Sequence, residues 1–297
     1  MTAKTSNAMW RLLTRDQREC AYSPSSMIDG DYQPFLAAYA DNSRRVREVC
    51  GGVTCHQYGA GETQSLDLHV PEGADGVAPP LLVFFHGGYW QELSKQDSFF
   101  PGFDCAQNGI AYAAIDYTLA PHADLDQIVT ECRDALAWLK ENSSFLGFDA
   151  DRIFLAGSSA GAHLAAMVAM SPPARTNLAG VILVSGIYEL EPLIGTSIND
   201  AVGLDVETAR RNSPLLLPLK DFPPALVCWG EIETDEFKRQ SAAFAEELIA
   251  AGTNASAFEV VSKNHFDIIL DLARPTTRLG RVVIDFIHNG QIDHADL

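Results

Sequence analysis

The sequence predicts an α/β protein in which a mostly parallel sheet is covered by helices on both faces. Short apolar runs of strand length alternate along the chain with segments of helical period. The strand runs are continuously apolar, which is typical of parallel strands that are buried on both faces. Of the 297 residues, 47% are hydrophobic, so the chain has enough apolar material for one large core.

The first elements precede the buried strands. The first 50 or so residues are mixed and polar, and we expect them to be partly helical. Residues 53–58 and 65–70 predict a strand pair around the turn Gly59-Ala60-Gly61. After a linker at residues 71–80, the run Leu81-Leu82-Val83-Phe84-Phe85 predicts the first fully buried strand.

The strand and helix alternation then repeats to the end of the chain. The helix predicted at residues 124–142 has one apolar stripe, and the helix predicted at 236–251 ends at Gly252, a favourable C-cap. Further strands are predicted at residues 110–115, 152–156, 181–184, 225–229 and 257–261, and further helices at 160–170 and 279–288. This alternation indicates parallel strands joined by crossover helices.

One segment interrupts the alternation. Residues 187–222 are rich in Pro, Asn and Asp, and we expect them to form a small cap over the carboxyl edge of the sheet. No linker calls for a second domain. We therefore expect residues 1–297 to form a single domain with a small cap insertion.

Charge and cysteine usage narrow the class of function. The net charge of -18 and the pI of about 4.7 argue against nucleic acid and anionic membranes as partners. No apolar run is long enough for a membrane span, and Met1 to Asn7 are not followed by a signal-type run. The six scattered cysteines lack metal-ligand spacing and predict free, buried thiols in a cytoplasmic protein without a metal. A homodimer remains an open alternative.

A candidate nucleophile lies between a predicted strand and a predicted helix. The sequence Gly157-Ser158-Ser159-Ala160-Gly161 matches G-x-S-x-G, the pattern of a tight strand-to-helix turn that exposes a serine hydroxyl. Ser159 is centred between the glycines and is the predicted nucleophile, with Ser158 beside it in the substrate pocket. The competing hypothesis is a Ser/Gly turn without chemistry.

A glycine-containing loop follows the first buried strand. Acyl transfer requires fixed donors for the developing oxyanion, and His86-Gly87-Gly88-Tyr89-Trp90 can turn backbone N–H groups toward one point. Gly88 and Tyr89 are the predicted loop donors, with Gly87 as a further candidate, and Ala160 is the donor after the nucleophile. His86 is expected to brace the loop, and Trp90 is expected either in the core or in the substrate pocket.

The base and the acid that would act with Ser159 are predicted late in the chain. His265 follows the last predicted strand and is the predicted base, whereas His163 is expected to be packed, and His288 and His294 to face solvent. The acid should follow the strand at 225–229. A spacing of three residues past Gly230 favours Glu233, with Asp235 as the alternative.

Several of these segments resemble one known family. His86-Gly87-Gly88-Tyr89-Trp90-Gln91 resembles the HGGxW loop of kynurenine formamidase (arylformamidase), and residues 159–165 resemble that family's nucleophile turn. Residues 236–241, 264–269, 125–127 and 22–25 are similar too, so the resemblance spans roughly residues 20 to 290. It implies an α/β-hydrolase fold. The family's acid is usually an aspartate shortly before Glu-Phe, and counting back from Glu236-Phe237 reaches Glu233, so this chain departs in residue type and Asp235 stays open.

The resemblance implies an activity. The leading hypothesis is a serine hydrolase that cleaves an N-formyl arylamide, such as N-formylkynurenine, through a formyl-serine intermediate, without a cofactor. One alternative is a carboxylesterase acting on small acyl or aryl esters, and another is a hydrolase of a different amide in a ring-degradation pathway. A third is a non-catalytic protein that binds a small molecule on a hydrolase scaffold. The cap would set the fit of the substrate.

Overall fold

A single eight-stranded sheet organises the protein. The computed structural model describes residues 9–72, 76–172 and 177–290. The strands lie side by side in the order β1-β2-β4-β3-β5-β6-β7-β8; the pairs β1/β2 and β2/β4 are antiparallel and all other pairs are parallel. Their bounds are β1 Thr54–Gln57, β2 Ser65–His69, β3 Leu81–Phe85, β4 Ala111–Ile115, β5 Ile153–Ser158, β6 Gly180–Val184, β7 Ala225–Ile232 and β8 Ala255–Asn264.

Helices of very different length connect these strands. The α-helices are α1 Arg15–Ala21, α2 Gln33–Cys50, α3 Gly102–Gln107, α4 Leu125–Leu146, α5 Ala160–Ala169, α6 Asn199–Val202, α7 Val206–Arg211, α8 Asp235–Ala250 and α9 Arg278–Asn289. Short 3₁₀ helices lie at Met9–Leu12, Pro24–Met27, Lys95–Asp97, Glu191–Leu193, Pro214–Leu216 and Ile268–Asp271. The predicted alternation of strands and helices is confirmed, and α3 is an element that the sequence analysis missed.

Two apolar layers hold the sheet from its opposite faces. Successive residues of a strand point to opposite sides, and in β3 Leu81, Val83 and Phe85 join one buried cluster, whereas Leu82 and Phe84 join the other. The first cluster contains residues of α4, α5 and α8, and the second contains residues of α2, α3 and α9. The continuous apolar run of β3 is therefore explained by burial on both faces.

The last strand is longer than the sequence analysis predicted. Expected at residues 257–261, β8 extends to Asn264 and pairs with β7 up to Ile232, across a register irregularity between Gly230 and Ile232. The extension carries the chain to the carboxyl edge of the sheet, directly before His265.

The cap segment and the amino-terminal helices pack against each other. Residues 187–222 hold α6, α7 and two 3₁₀ turns. Arg18 of α1 donates to the carbonyls of Pro192 (3.3 Å) and Ile194 (2.9 Å), and Trp10 donates to the side chain of Glu189 (3.1 Å). The amino-terminal segment is thereby fixed over the same edge of the sheet as the cap.

Half of the prediction about the cysteines is wrong. All six thiols are free, but only Cys105, Cys132 and Cys228 are buried; Cys50 is half-buried, and Cys20 and Cys55 are exposed. Cys20, Cys50 and Cys55 lie on α1, at the end of α2 and on the edge strand β1.

The remaining expectations concern membrane spans, metal sites and residues outside the described ranges. Within the described ranges, no helix is long and apolar enough to cross a membrane, and no group of His, Cys, Asp or Glu is arranged to hold a metal ion. The expectations for Met1 to Asn7, for His294, and for residues 73–75 of the linker lie outside the described residues.

The amino-terminal cap of α4 provides a test of this architecture. The side chain of Asp124 accepts a hydrogen bond from the N–H of Gln127 (2.8 Å). Asp124→Ala should lower the free energy of unfolding by about 1 kcal/mol, because an unpaired N–H is left at the helix end. Urea denaturation measures this change. Asp134→Ala, which removes an exposed carboxylate from the middle of the same helix, is the control. Equal effects of both variants would contradict the capping role.

Candidate active site

Five side chains lie at one edge of the sheet, each directly after a parallel strand. His86, Ser159, Ser185, Glu233 and His265 directly follow the ends of β3, β5, β6, β7 and β8. Because these strands run parallel, their carboxyl ends meet at the same edge. In open α/β sheets this edge is where small molecules bind.

Ser159 occupies the sharp turn between β5 and α5. Its backbone has φ 57° and ψ -122°, a conformation that costs a non-glycine residue free energy. Its N–H donates to the carbonyl of Val184 (2.9 Å), which fixes the turn to the end of β6. The hydroxyl is thus held at the edge of the sheet at the start of a helix, where the helix dipole favours negative charge.

Three glycines make this turn sterically feasible. A Cβ atom at Gly157 would overlap the carbonyl of Gly161, and one at Gly161 would overlap the carbonyl of Phe85. A Cβ atom at Gly87 would lie 2.9 Å from the oxygen of Ser158 and 3.3 Å from the Cβ of Ser159. The backbone of the glycine loop therefore lies directly against the turn that carries the serine.

His265 is oriented by a buried carboxylate. The Nδ1 of His265 lies 2.9 Å from Oε2 of Glu233, and the Glu233 side chain has 0% exposed surface. The other oxygen, Oε1, accepts hydrogen bonds from the N–H of Gly230 (2.6 Å) and the hydroxyl of Ser185 (2.5 Å). Three partners thus satisfy the carboxylate in the protein interior.

The alternative acid lies elsewhere. Asp235 is the first residue of α8 and its side chain is exposed. Among the described contacts, the carboxylate that reaches the imidazole of His265 is that of Glu233. The position of Asp235 at a helix amino terminus suits a charge that interacts favourably with the helix dipole.

The glycine loop presents free backbone donors beside the serine. Gly88, Tyr89 and Trp90 have positive φ angles of 88°, 48° and 61°, so the chain turns sharply after Gly87. Among the described hydrogen bonds, none uses the N–H of Gly88 or Tyr89. The N–H of Ala160 is the first of α5 and has no intrahelical acceptor. These three groups are available to an oxyanion at Ser159.

Ser159 and His265 border one cavity of about 330 Å³. Within the described residues their side chains form no hydrogen bond with each other. Contacts between a nucleophile and its base are often loose before substrate binds. Ser158 also lines this cavity, as the sequence analysis predicted for a pocket residue.

Trp90 is a core residue, so its inclusion among the pocket residues is wrong. Its side chain has 0% exposed surface and is absent from the described lining of the cavity. The indole packs edge-on against His163, with ring centroids 5.0 Å apart, and against Tyr89 at 6.0 Å. The backbone at Trp90 has a positive φ of 61°, and the indole is buried between the ring of Tyr89 and that of His163.

Two further histidines are structural. His86 stacks on Tyr117, with ring centroids 4.2 Å apart, and its Nδ1 lies 3.0 Å from the carbonyl of Gly87, so it braces the glycine loop. His163 is fully buried on α5 and its Nε2–H donates to the carbonyl of Asn212 (2.7 Å). Burial lowers the pKa of His163 to about 4.

The sequence analysis missed a large part of the cavity wall. The amino-terminal segment contributes many lining residues: Glu19, Tyr22, Ser23, Pro24, Ser25, Tyr32, Leu36 and Tyr39. The cap adds Ser197 and Ile198. Residues 22–25 resemble the corresponding family segment, but nothing in their composition indicates that they line the cavity at the carboxyl edge of the sheet. Ser185 was missed too, although its position after β6 places it at that edge.

A comparison with protein families decides the classification. A family model described as "alpha/beta hydrolase fold" matches residues 82–267, which include the glycine loop, Ser159, Glu233 and His265. The chain belongs to the α/β-hydrolase family. The match covers well over half of the chain, and it agrees with the mostly parallel sheet and its flanking helices.

Within the α/β-hydrolase family, the chain is kynurenine formamidase-like. It is 32% identical to the kynurenine formamidase of Danio rerio over 94% of this chain and 98% of that protein. It is 29% identical to the kynurenine formamidase of Drosophila melanogaster over 87% and 88% of the two chains. It is also 28% identical to the isoprenylcysteine alpha-carbonyl methylesterase of Arabidopsis thaliana, over 72% of this chain and 56% of that protein.

Solved structures share this α/β-hydrolase architecture. A crystal structure from Silicibacter sp. TM1040 superposes with a TM-score of 0.77 at 27% identity, covering 89% of this chain and 97% of the other. An esterase from Pyrobaculum calidifontis superposes with a TM-score of 0.71 at 22% identity, over 87% and 91% of the two chains. The second likeness shows the fold alone.

The buried His163 generates a prediction about stability and pH. Because the pKa of His163 is lowered in the folded state, the unfolded chain takes up a proton between about pH 6.5 and pH 4 that the folded chain does not. Stability should therefore fall as the pH decreases through this window, by about 2 kcal/mol between pH 7 and pH 5 from this one group.

Urea denaturation of His163→Asn at both pH values tests this effect. The variant should lose about 2 kcal/mol less than the wild type between pH 7 and pH 5. The control is His288→Asn, an exposed histidine on α9, which should keep the wild-type difference. An unchanged pH dependence in His163→Asn would show that His163 does not carry it.

Proposed function

We propose that this hydrolase cleaves an N-formyl arylamide with a Ser-His-Glu triad. Ser159 is the nucleophile, His265 the general base and Glu233 the acid that orients the base. The observation that carries this proposal is the 2.9 Å contact between His265 Nδ1 and the buried Glu233, at the edge where the Ser159 turn borders the same cavity. This is the arrangement that activates a serine hydroxyl.

The first half of the reaction forms an acyl-enzyme. His265 accepts the proton of the Ser159 hydroxyl while Oγ bonds to the formyl carbon, and the carbonyl π electrons move onto oxygen. The N–H groups of Gly88, Tyr89 and Ala160 donate to that oxyanion, with Gly87 as a further candidate donor. His265 then gives its proton to the arylamine nitrogen, the C–N bond breaks, and the amine leaves from formyl-Ser159.

The second half of the reaction consumes one water molecule. His265 accepts a proton from water as the hydroxide oxygen bonds to the formyl carbon, and the same backbone donors bind the second oxyanion. The bond to Ser159 Oγ breaks, Oγ regains the proton from His265, and formic acid leaves and loses its proton to solvent as formate. The net reaction is hydrolysis of the formamide to amine and formate, and no cofactor takes part in any step.

Glu233 acts by position and by charge. Its Oε2 holds the Nδ1–H tautomer of His265, so the other ring nitrogen is free to face the cavity. The carboxylate also stabilises the imidazolium that forms in each half-reaction. Ser185 and the N–H of Gly230 fix the carboxylate in turn, so Ser185 is a positioning residue.

The formyl arylamide is the substrate class that the likeness to kynurenine formamidases favours. That likeness covers 94% of this chain and 98% of the Danio rerio protein. An arylamine is also a better leaving group than an alkylamine, so a serine triad needs less assistance with this amide. The aromatic side chains of the cavity wall suit an aryl substrate.

A carboxylesterase is the second candidate. The likeness to an isoprenylcysteine alpha-carbonyl methylesterase favours it, because the same triad and oxyanion donors hydrolyse esters. A serine hydrolase of a different amide would use these residues as well. A non-catalytic binding protein is disfavoured, since such proteins usually lose a residue of the triad.

A direct comparison of substrates tests the proposed activity. The purified protein should release formate from N-formylkynurenine with a kcat/KM above that for a short p-nitrophenyl ester. Ser159→Ala and His265→Ala should each lower kcat by several orders of magnitude, because the residues act as a unit. Ester turnover without detectable release of formate would instead support the carboxylesterase. An unlabelled Ser159 after treatment with a fluorophosphonate would support the binding protein.

A matched pair of variants tests the assignment of the acid. Glu233→Gln should lower kcat by about 10⁴-fold, because an amide cannot stabilise the imidazolium and favours the wrong tautomer. Asp235→Asn is the control, since it removes the same charge two residues away on an exposed side chain, and it should leave kcat within about twofold of the wild type. The reverse pattern would make Asp235 the acid.

A further inference from the structure

The described lining of the cavity beside Ser159 carries acidic side chains without lysine or arginine. Among the described residues that line it, three carry carboxylates, Glu19, Glu92 and Asp97, and none is a lysine or an arginine. The protein as a whole has a formal charge of -18, which adds to the negative potential at the cavity. A negatively charged substituent on a substrate would therefore find no charged partner in the described wall.

Three neighbouring cations are committed elsewhere, and a fourth, Arg15, acts on Glu19 from outside the described lining. Arg18, next to Glu19, donates to the carbonyls of Pro192 and Ile194 in the cap. Lys95, two residues before Asp97, pairs with Asp67 (3.0 Å), and the same carboxylate pairs with Arg47 (2.9 Å). These side chains are held by partners outside the cavity, so they do not supply the missing positive charge.

The three carboxylates are placed at different points of the wall. Glu19 accepts hydrogen bonds from the N–H (2.9 Å) and the hydroxyl of Ser197. Burial acts to raise the pKa of Glu19, but the two hydrogen bonds from Ser197 and the positive charge of Arg15 together outweigh it. The pKa of Glu19 is therefore lowered, and Glu19 stays ionised at neutral pH. Asp97 accepts from the hydroxyl of Ser94 (2.8 Å), and the exposed Glu92 accepts from the hydroxyl of Tyr32 (3.4 Å).

Aromatic faces form much of the remaining wall. Tyr32 stacks on Phe266 with centroids 5.6 Å apart, and Tyr39 stacks on Phe100 at 5.4 Å; all four rings border the cavity. Such faces bind aromatic rings, and they also attract cations through the ring quadrupole. The wall thus favours an aryl group and a positive charge by two independent interactions.

We infer that the cavity selects aryl formamides whose remote substituent is cationic or neutral, and that it discriminates against a carboxylate. Glu92 and Asp97 are the specificity-determining residues that we assign to this selection, and Glu19 adds a third negative charge to the wall. The inference rests on the proposed function, since it names the substrates of the same site. It predicts that the α-carboxylate of an N-formylkynurenine-type amino acid weakens turnover.

Two substrates that differ by one carboxylate test the selection. N-formylkynuramine has the aryl ketone, the formamide and the amine of N-formylkynurenine but lacks its carboxylate. Its kcat/KM should be about tenfold higher at low ionic strength, because removing a like charge removes a repulsion of that order. The ratio should decrease as salt is added, since salt screens the exposed carboxylates. A higher kcat/KM for N-formylkynurenine would overturn the inference.

Variants locate the effect in the wall. Glu92→Gln combined with Asp97→Asn should lower the ratio between the two substrates by roughly threefold or more, mainly through KM, since the triad is not altered. The control is Glu207→Gln combined with Glu246→Gln, which removes two exposed carboxylates that are not among the lining residues. An equal change in both double variants would show that net charge, and not the wall, sets the selection, and would overturn the assignment.

A binding measurement separates this inference from the proposed activity. If neither formamide is cleaved, the proposed formamidase activity fails. The two compounds are then compared as competitive inhibitors of p-nitrophenyl acetate hydrolysis. A lower Ki for the compound without the carboxylate supports the charge selection, and an equal or higher Ki overturns it.

Discussion

The backbone at Ser159 is the constraint on which the rest of the site depends. A non-glycine residue with a positive φ angle is strained, and packing and hydrogen bonds in the surrounding structure must offset the free energy of that strain. Gly157 and Gly161 allow β5 and α5 to approach closely, and Gly87 allows the glycine loop to lie against the turn. The same close packing that makes the turn possible places the donors of the loop within reach of the serine.

The second requirement is a charge in the interior. A buried carboxylate without partners would be strongly destabilising. The partners of Glu233 are a backbone N–H, a hydroxyl and an imidazole. They belong to Gly230 within β7, Ser185 after β6 and His265 after β8. The parallel order of the strands therefore assembles the hydrogen bonds that satisfy the buried carboxylate.

The sequence predicted the parts of the protein that follow local rules. Apolar runs located the buried strands, and G-x-S-x-G between a strand and a helix located Ser159. A count of three residues from Gly230 singled out Glu233, which the structure places against His265. Trp90 could not be assigned, since a one-residue change in backbone direction decides whether an indole enters the cavity or the core. Ser185 and the amino-terminal wall depend on long-range packing, which periodicity and spacing do not encode.

Much of the cavity wall and the reacting groups come from different stretches of the chain. The reacting groups come from residues 86 to 265, whereas much of the wall comes from residues 19 to 39. This stretch joins the buried core through Tyr22 and Tyr39, and the Tyr39 hydroxyl donates to the carbonyl of Phe266 beside the base. Substitutions at lining residues such as Ser23 and Ser25, whose described side-chain hydrogen bond joins the two of them, can alter which substrate is accommodated without changing the reacting groups. Relatives with identical reaction chemistry can thus differ in substrate preference through their first forty residues. A classification by the reacting groups alone would assign them to one class.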